Sequence, residues 1–275
     1  MFKILSSSQL GPQTFRLEVE APLIAGKANA GQFVVLVIDE KAERIPLTLS
    51  DWNKDTGSIT LIFQAVGQTT RKLSQLKKGG SILHILGPLG HPTAAESTGT
   101  VVTVGGGVGI AEVWPVSRRF KEAGNKVIGI IGARSKDLLI LEQEMRASCD
   151  ELYVVTDDGS YGEKGFVTDA LKKVLDSEAL RNIHSQVRVY AIGPVPMMKA
   201  VSEFTRLLKI RTTVSLNPIM VDATGMCGAC RCTVAGKTKF ACVDGPDFDG
   251  HEVDFAELSK RLTLFKEQEQ ECATK

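Results

Sequence analysis

The chain has no apolar run approaching the ~20 residues of a membrane-spanning helix. It has almost no net charge, +1 over 275 residues, which gives no reason to invoke nucleic acid or an anionic membrane. Cysteine is scarce too, six in all, and Cys227, Cys230, Cys232 and Cys242 crowd into one short stretch. Thiols clustered in this way do not staple a fold as disulfides do, and they point to a reducing cytoplasm. Internal repeats and low-complexity segments are absent. A hydrophobic content of 43% and a charged content of 24% belong to a globular protein. The length leaves room for two or three small domains. Met1-Phe-Lys-Ile-Leu5 reads as a first strand rather than a targeting segment.

What is present begins with Asp222-Ala-Thr-Gly-Met-Cys227-Gly-Ala-Cys230, followed by Cys242. Plant-type [2Fe–2S] proteins use C-x4-C-x2-C…C, and here an aspartate fills the first slot. Small residues at Gly225, Gly228 and Ala229 let backbone amides approach the cluster sulfides. A zinc knuckle normally needs two separated C-x2-C pairs, and only one is present, so the spacing favours iron–sulfur. Two ligand sets remain open. One is Asp222, Cys227, Cys230 and Cys242; the other puts Cys232 in place of Asp222. Residues 231–234 read as a strand leaving the loop, which would carry Cys232 away and favours Asp222. Cys149 and Cys272 have no neighbours at ligand spacing and read as ordinary thiols.

The pattern along the chain predicts a β plus α/β protein in three parts: an N-terminal antiparallel β-barrel over 1–97, a doubly wound parallel-sheet nucleotide-binding domain over 98–214, and a small C-terminal cluster module with its tail over 215–275. Short β-rich runs at 14–19, 33–38, 47–51, 58–66 and 81–86, separated by turn signals, suggest the barrel, with 69–76 as its one short helix. From residue 100 strands and helices alternate: strands at 101–104, 127–131, 152–155, 187–192 and 212–216, helices to Phe120 and over 138–145, 167–174 and 196–208. The polar end of the chain is expected to fray.

Gly105-Gly106-Gly107-Val108-Gly109 lies between a buried strand and a helix, where backbone amides bind a pyrophosphate. A simple tight turn remains the alternative, because the end of the next strand carries Gly132-Ala-Arg-Ser135 and no acid. A second glycine turn, Gly193-Pro194-Val-Pro196, falls on the same sheet edge. The intervening loop 156–162, with Asp157, offers polar groups to a ribose or nicotinamide, or is a solvated turn. In the barrel, Arg44, Pro46, Thr48 and Ser50 alternate with Leu47 along one strand and would project together. Such a face suits a flavin, the Arg neutralising phosphate, whereas without context it is a surface strand. Gly67-Gln-Thr69-Thr70, at a strand-to-helix junction, adds a second phosphate-type site.

These motifs, in this order, resemble the ferredoxin–NADP reductase superfamily. Arg44, Pro46 and Thr48 match its R-x-P-x-[ST] flavin motif. The branch with a C-terminal [2Fe–2S] module resembles the electron-transfer subunit of type B dihydroorotate dehydrogenase. It also resembles the small subunits of the electron-bifurcating reduced ferredoxin:NADP oxidoreductases. Cysteine fills the first cluster slot in the former and aspartate in the latter, so Asp222 points to the bifurcating branch. The resemblance implies FAD, one [2Fe–2S] cluster and NAD(H), and no catalytic side chain beyond the cofactors' own hydride chemistry. It implies a large flavin and iron–sulfur partner in a heterodimer or higher assembly. A non-enzymatic redox or zinc protein is the alternative from another class.

Overall fold

The computed structural model describes residues 1–265; Cys272 and the tail expected to fray lie outside the described residues. Among the described residues the chain forms two sheets of seven strands and one two-stranded hairpin. No helix among them is long and apolar enough to cross a membrane. The chain divides into two compact units. One comprises Met1–Pro92, Asn217–Pro246 and the described residues from Asp254 on; the other comprises Thr93–Leu216 and Asp247–Val253.

In the first unit the strands are β1 (Phe2–Gly11), β2 (Thr14–Glu20), β3 (Phe33–Val37), β4 (Ile45–Asn53), β5 (Ser58–Gln64), β6 (Ser81–Ile82) and β7 (His84–Leu89). They pair antiparallel in the order β6-β1-β2-β5-β4-β3-β7. The two edge strands are separated in sequence only by Leu83, whose N–H donates to Ile38 O at 3.1 Å. The chain therefore steps from one edge of the sheet to the other, and the sheet curls into a near-closed antiparallel barrel. Alternate side chains, among them Leu17, Val19, Val34, Leu36, Leu49 and Leu61, fill its interior. The strand expected at 81–86 is thus two strands broken at Leu83. The barrel also carries two helices rather than one: α1 (Pro22–Ala25) as well as α2 (Gln68–Gln75). Pro22 fits the first turn of α1, where its missing N–H leaves no bond unmade.

The second unit contains β8 (Thr100–Gly106), α3 (Ile110–Glu122), β9 (Lys126–Ala133), α4 (Glu142–Ser148), β10 (Glu151–Thr156), β11 (Glu163–Lys164), α5 (Val167–Leu175), β12 (Val187–Ile192), α6 (Val195–Leu207) and β13 (Arg211–Ser215). The remaining elements are β14 (Arg231–Val234), β15 (Lys237–Phe240), α7 (Ala241–Asp244), β16 (Asp247–Asp249) and α8 (Phe255–Leu262). The sheet order is β11-β10-β9-β8-β12-β13-β16, with β16 alone antiparallel. Chain order reverses between β8 and β12, the switch point where a doubly wound sheet collects ligands at its carboxyl edge. Every residue of β8 is buried, as expected for a strand covered on both faces.

One helix is displaced. The stretch expected to be helical over 138–145 instead makes a single 3-10 turn over Lys136–Leu138 and reaches α4 only at Glu142. Leu141 adopts a left-handed conformation, φ 57°, and both Ile140 and Leu141 are buried. Tertiary burial of this apolar pair overrides its helical propensity. Glu142 and Glu144 then suit the first turn of the helix.

Candidate functional site

Two barrel segments singled out for a flavin come together. Pro46, Leu47 and Thr48 lie on β4, opposite Val35, Val34 and Phe33 of β3. Leu47 packs against the barrel core, so Pro46 and Thr48 alternate to the other face. Arg44 is exposed and precedes β4, so it is not part of the strand face. Ser50 is fully buried, and its Oγ is the one buried side-chain polar atom without a hydrogen-bond partner among the described residues. The start of α2 is tied to this strand by Thr69 Oγ1, which donates to Glu43 Oε2 at 3.0 Å. Thr70 Oγ1 accepts from the Gly67 N–H at 3.0 Å and closes the turn. An exposed arginine next in sequence to Glu43, which is tied to the start of α2, is chemically fitting for the phosphates of FAD. Glu43, which joins the two segments, carried no signal in the sequence.

At the carboxyl edge of the parallel sheet, β8 runs into a 3-10 turn over Gly107–Gly109 and then α3. A Cβ on Gly193 would lie 3.1 Å from Gly106 O and 3.0 Å from Met197 Sδ, so the two glycine turns are in contact. A Cβ on Gly109 would fall 2.5 Å from Ile192 O. Gly107 differs: φ is +58° and a Cβ there would meet nothing within 4 Å. Its backbone is therefore bare toward open space at a helix N-terminus, the arrangement a pyrophosphate needs. Pro194 caps α6. Asp157 follows β10, two strands along the same edge. Met197, packed under both turns, was not legible in the sequence beyond its place in the first turn of a helix.

In the cluster loop, Cys230 Sγ and Cys242 Sγ lie 3.2 Å apart, both buried. Burial pushes the Cys242 thiol up to about 12. Cys242 sits on the short helix α7, while Cys227 is exposed. Gly225 and Gly228 hold φ of +88° and +67°, a left-handed loop that glycine accommodates without strain. Asp222 braces the same loop. Its Oδ2 accepts from Cys227 N at 2.7 Å, and its Oδ1 accepts from Thr224 N and, at 2.6 Å, from Thr224 Oγ1. These bonds, Thr224's first, hold its carboxyl well below the usual carboxylate range. A carboxylate has lone pairs beyond those engaged. Cys232 lies elsewhere: it is buried on β14 with Sγ directed to Lys239 O at 3.7 Å. Among the described residues no three His, Cys, Asp or Glu converge on a single ion position. Three thiols and a carboxylate in one short loop are a donor set that fits a two-iron cluster.

A barrel, a doubly wound sheet with paired glycine turns and a cysteine-rich loop define an electron-transfer oxidoreductase of the ferredoxin reductase type. Residues 103–203 match the oxidoreductase NAD-binding domain, and residues 217–254 match the iron-sulfur cluster binding domain of dihydroorotate dehydrogenase B. The chain is 46% identical to a dihydroorotate dehydrogenase B (NAD(+)) electron transfer subunit homolog of Thermotoga maritima, covering 97% of this chain and 92% of that protein. It is 34% identical to the electron transfer subunit of Bacillus velezensis, over 91% of this chain and 96% of that one. Among solved structures, that of NADH-dependent reduced ferredoxin-NADP oxidoreductase, studied for flavin-based electron bifurcation, superimposes with a TM-score of 0.92 at 43% identity, covering 100% and 97% of the two chains. Ferredoxin-NADP+ reductase from Plasmodium falciparum shares the fold at 12% identity, TM-score 0.62, over 78% and 94%. The chain belongs to the family of dihydroorotate dehydrogenase B electron transfer subunits and their homologues. It is an oxidoreductase subunit whose cofactors are FAD, an iron–sulfur cluster and NAD(H).

Proposed function

We propose that this chain is the small subunit of a bifurcating NADH-dependent reduced ferredoxin:NADP oxidoreductase, working with a large partner that carries a second flavin and further clusters. When bound, FAD would supply hydride exchange with NAD(H), and a [2Fe–2S] cluster would supply one-electron chemistry toward that partner. The chain's own residues bind and orient. Arg44 and the start of α2 hold the flavin phosphates, with Thr48 and Pro46 beside the ring system. The turn at Gly106, Gly107 and Gly109, backed by Gly193 and Pro194, holds the nucleotide pyrophosphate. Asp222, Cys227, Cys230 and Cys242 hold the cluster. A reducing cytoplasm suits such thiol ligands.

The observation that carries this reading is the first ligand slot, where Asp222 reaches the Cys227 amide while Cys232 is turned into β14. The match to the solved oxidoreductase over the whole chain supports it. A second reading, the electron transfer subunit of a dihydroorotate dehydrogenase, is favoured by the match of residues 217–254 to that enzyme's cluster domain. Affinity purification from the native cell separates them. A large subunit with its own flavin and ferredoxin-type clusters supports the first reading, and a dihydroorotate dehydrogenase supports the second. The isolated chain should oxidise NADH with an artificial acceptor. Ferredoxin-coupled NADP reduction by this chain alone would refute the need for a partner.

A further inference from the structure

The cluster loop is tied to α8 by one side chain, Arg261, and that tie fixes which way a backbone amide of the loop points. This inference rests on the reading of Cys227 and Cys230 as cluster ligands. The start of α8 is anchored to β14: Asp254 N donates to Thr233 O at 2.9 Å, and the Asp254 carboxylate caps the helix by accepting the Glu257 N–H at 2.9 Å. Leu258 is fully buried, and Arg261, one turn on, shares its side of the helix. Arg261 is half-buried, and its Nη2 donates to Ala229 O at 3.0 Å. A second arginine acts one residue earlier in the loop, where Arg231 Nη1 donates to Gly228 O at 3.2 Å, but Arg231 is exposed.

The peptides joining Gly228 to Ala229 and Ala229 to Cys230 are both trans. In a planar trans peptide the C=O and the N–H point in opposite directions. With Gly228 O turned to Arg231, the Ala229 N–H points the other way, and there it donates to Cys227 Sγ at 3.4 Å. With Ala229 O turned to Arg261, the Cys230 N–H is likewise directed away from that arginine. Among the described residues it meets no acceptor, although Cys230 is only 2% exposed. Buried N–H groups are almost always paired, because an unpaired one costs about as much as a lost hydrogen bond. A cluster sulfur is the acceptor that this donor fits.

We infer that Arg261 is a positioning residue for the iron–sulfur cluster: by holding the Ala229 carbonyl it aims the Cys230 amide at a cluster sulfur and so raises the cluster's reduction potential. Reduction adds one negative charge to the cluster, so a donor to its sulfur stabilises the reduced form more than the oxidised one. Hydrogen bonds to the sulfurs and net charge are among the main determinants of such potentials. The half-buried guanidinium acts in the same direction through its charge, and partial burial limits its screening by salt.

The test is a redox titration of the full chain loaded with FAD and cluster, following the electron paramagnetic resonance signal of the reduced cluster. Arg261→Met, which loses both the donor and the charge, should lower the cluster midpoint by at least about 59 mV, a tenfold change in a one-electron equilibrium. The flavin midpoint should not move. Arg261→Gln keeps a donor for Ala229 O and loses the charge, so its midpoint should lie nearer to wild type than to Arg261→Met. An unmoved midpoint in Arg261→Met with full iron and sulfide overturns the inference and leaves the cluster standing. Arg261→Gln falling as low as Arg261→Met also overturns it, since charge and not peptide orientation would then set the potential. Iron–sulfur stretching bands of the wild type, recorded by resonance Raman in H2O and D2O, keep the inference falsifiable if Arg261→Met does not fold: bands that do not shift on deuteration overturn amide donation. A reconstituted wild type that shows no iron–sulfur signal overturns the cluster reading itself, and this inference with it.

Discussion

Thr93 Oγ1 donates a 2.7 Å hydrogen bond to Asp247 Oδ2. Thr93 is the residue at which the chain enters the nucleotide-binding unit from the barrel, and Asp247 the one at which it re-enters after the cluster loop. Both entry points are clasped together on β12, where Tyr190 donates to Asp247 Oδ1 at 2.8 Å. Tyr190 is fully buried, and burial holds its hydroxyl far above the ordinary range, so it stays a neutral donor. The group lines a cavity of about 310 Å³ whose walls also bring up Glu96, Arg188, Arg211 and Asp249.

Asp247 should make stability depend on pH. Burial raises its carboxyl to about 6, against the pull of hydrogen bonds from Thr93, Tyr190 and Ser215. Unfolded, the group titrates near ~3.9. The folded state thus holds the proton more tightly, so this contribution is fully present below about pH 4 and is lost as pH rises through about 6. The difference is worth about 2–3 kcal/mol. In Asp247→Asn the gain in Tm over wild type should be larger at about pH 7.5 than at about pH 4.5. A gain independent of pH would mean that Asp247 does not titrate in the fold.

Asp222→Cys should keep a two-iron cluster and shift its visible spectrum and reduction potential, because a thiolate replaces a hard oxygen ligand. Cys232→Ser should leave iron content untouched, since that thiol is directed to Lys239 O on the hairpin. Iron and sulfide analysis with redox titration decides. Loss of the cluster in Cys232→Ser together with retention in Asp222→Ala would reverse the ligand assignment.

Arg44→Ala should weaken FAD retention by roughly 1.5–3 kcal/mol, the worth of a direct charge-assisted contact. Iron content should stay near wild type, because Arg44 precedes β4 and the cluster loop is remote in sequence. The flavin-to-protein ratio after exhaustive dialysis measures this, and a full complement would remove Arg44 from the site.

Gly107→Val places a branched side chain where φ is +58° and where a Cβ would enter open space. The conformation costs about 1–2 kcal/mol for an L-residue, and the side chain blocks close approach of a pyrophosphate. NADH-driven acceptor reduction should drop at least about tenfold. Photoreduction of the flavin should still reduce the cluster, as that transfer needs no nucleotide. Unimpaired NADH turnover would refute the docking turn.

The parallel sheet was legible because strands buried on both faces, such as residues 101–104, read as apolar runs bounded by glycine. The segment after β9 was not, because Ile140 and Leu141 meet helical periodicity and core burial at once, and burial decides. The three residues of β16, two of them acidic, gain strand character only by pairing with β13. The N-terminus of α8 did carry a signal. Asp254 accepts from Glu257 N at 2.9 Å, and D-x-x-E ahead of an apolar position is a capping pattern. The candidate ligand pattern from 222 to 242 is visible as spacing, but the bracing of the loop by the Asp222 carboxylate is not, since it depends on the left-handed turns between.

Because β16 is supplied by residues that follow the cluster loop, that loop is inserted in the chain between β13 and β16, the last two strands of the nucleotide-binding sheet. A gene truncated after Pro246 would lose more than a tail: β13 would be left with bare N–H and C=O groups along one side, a template for recruiting a strand from another molecule.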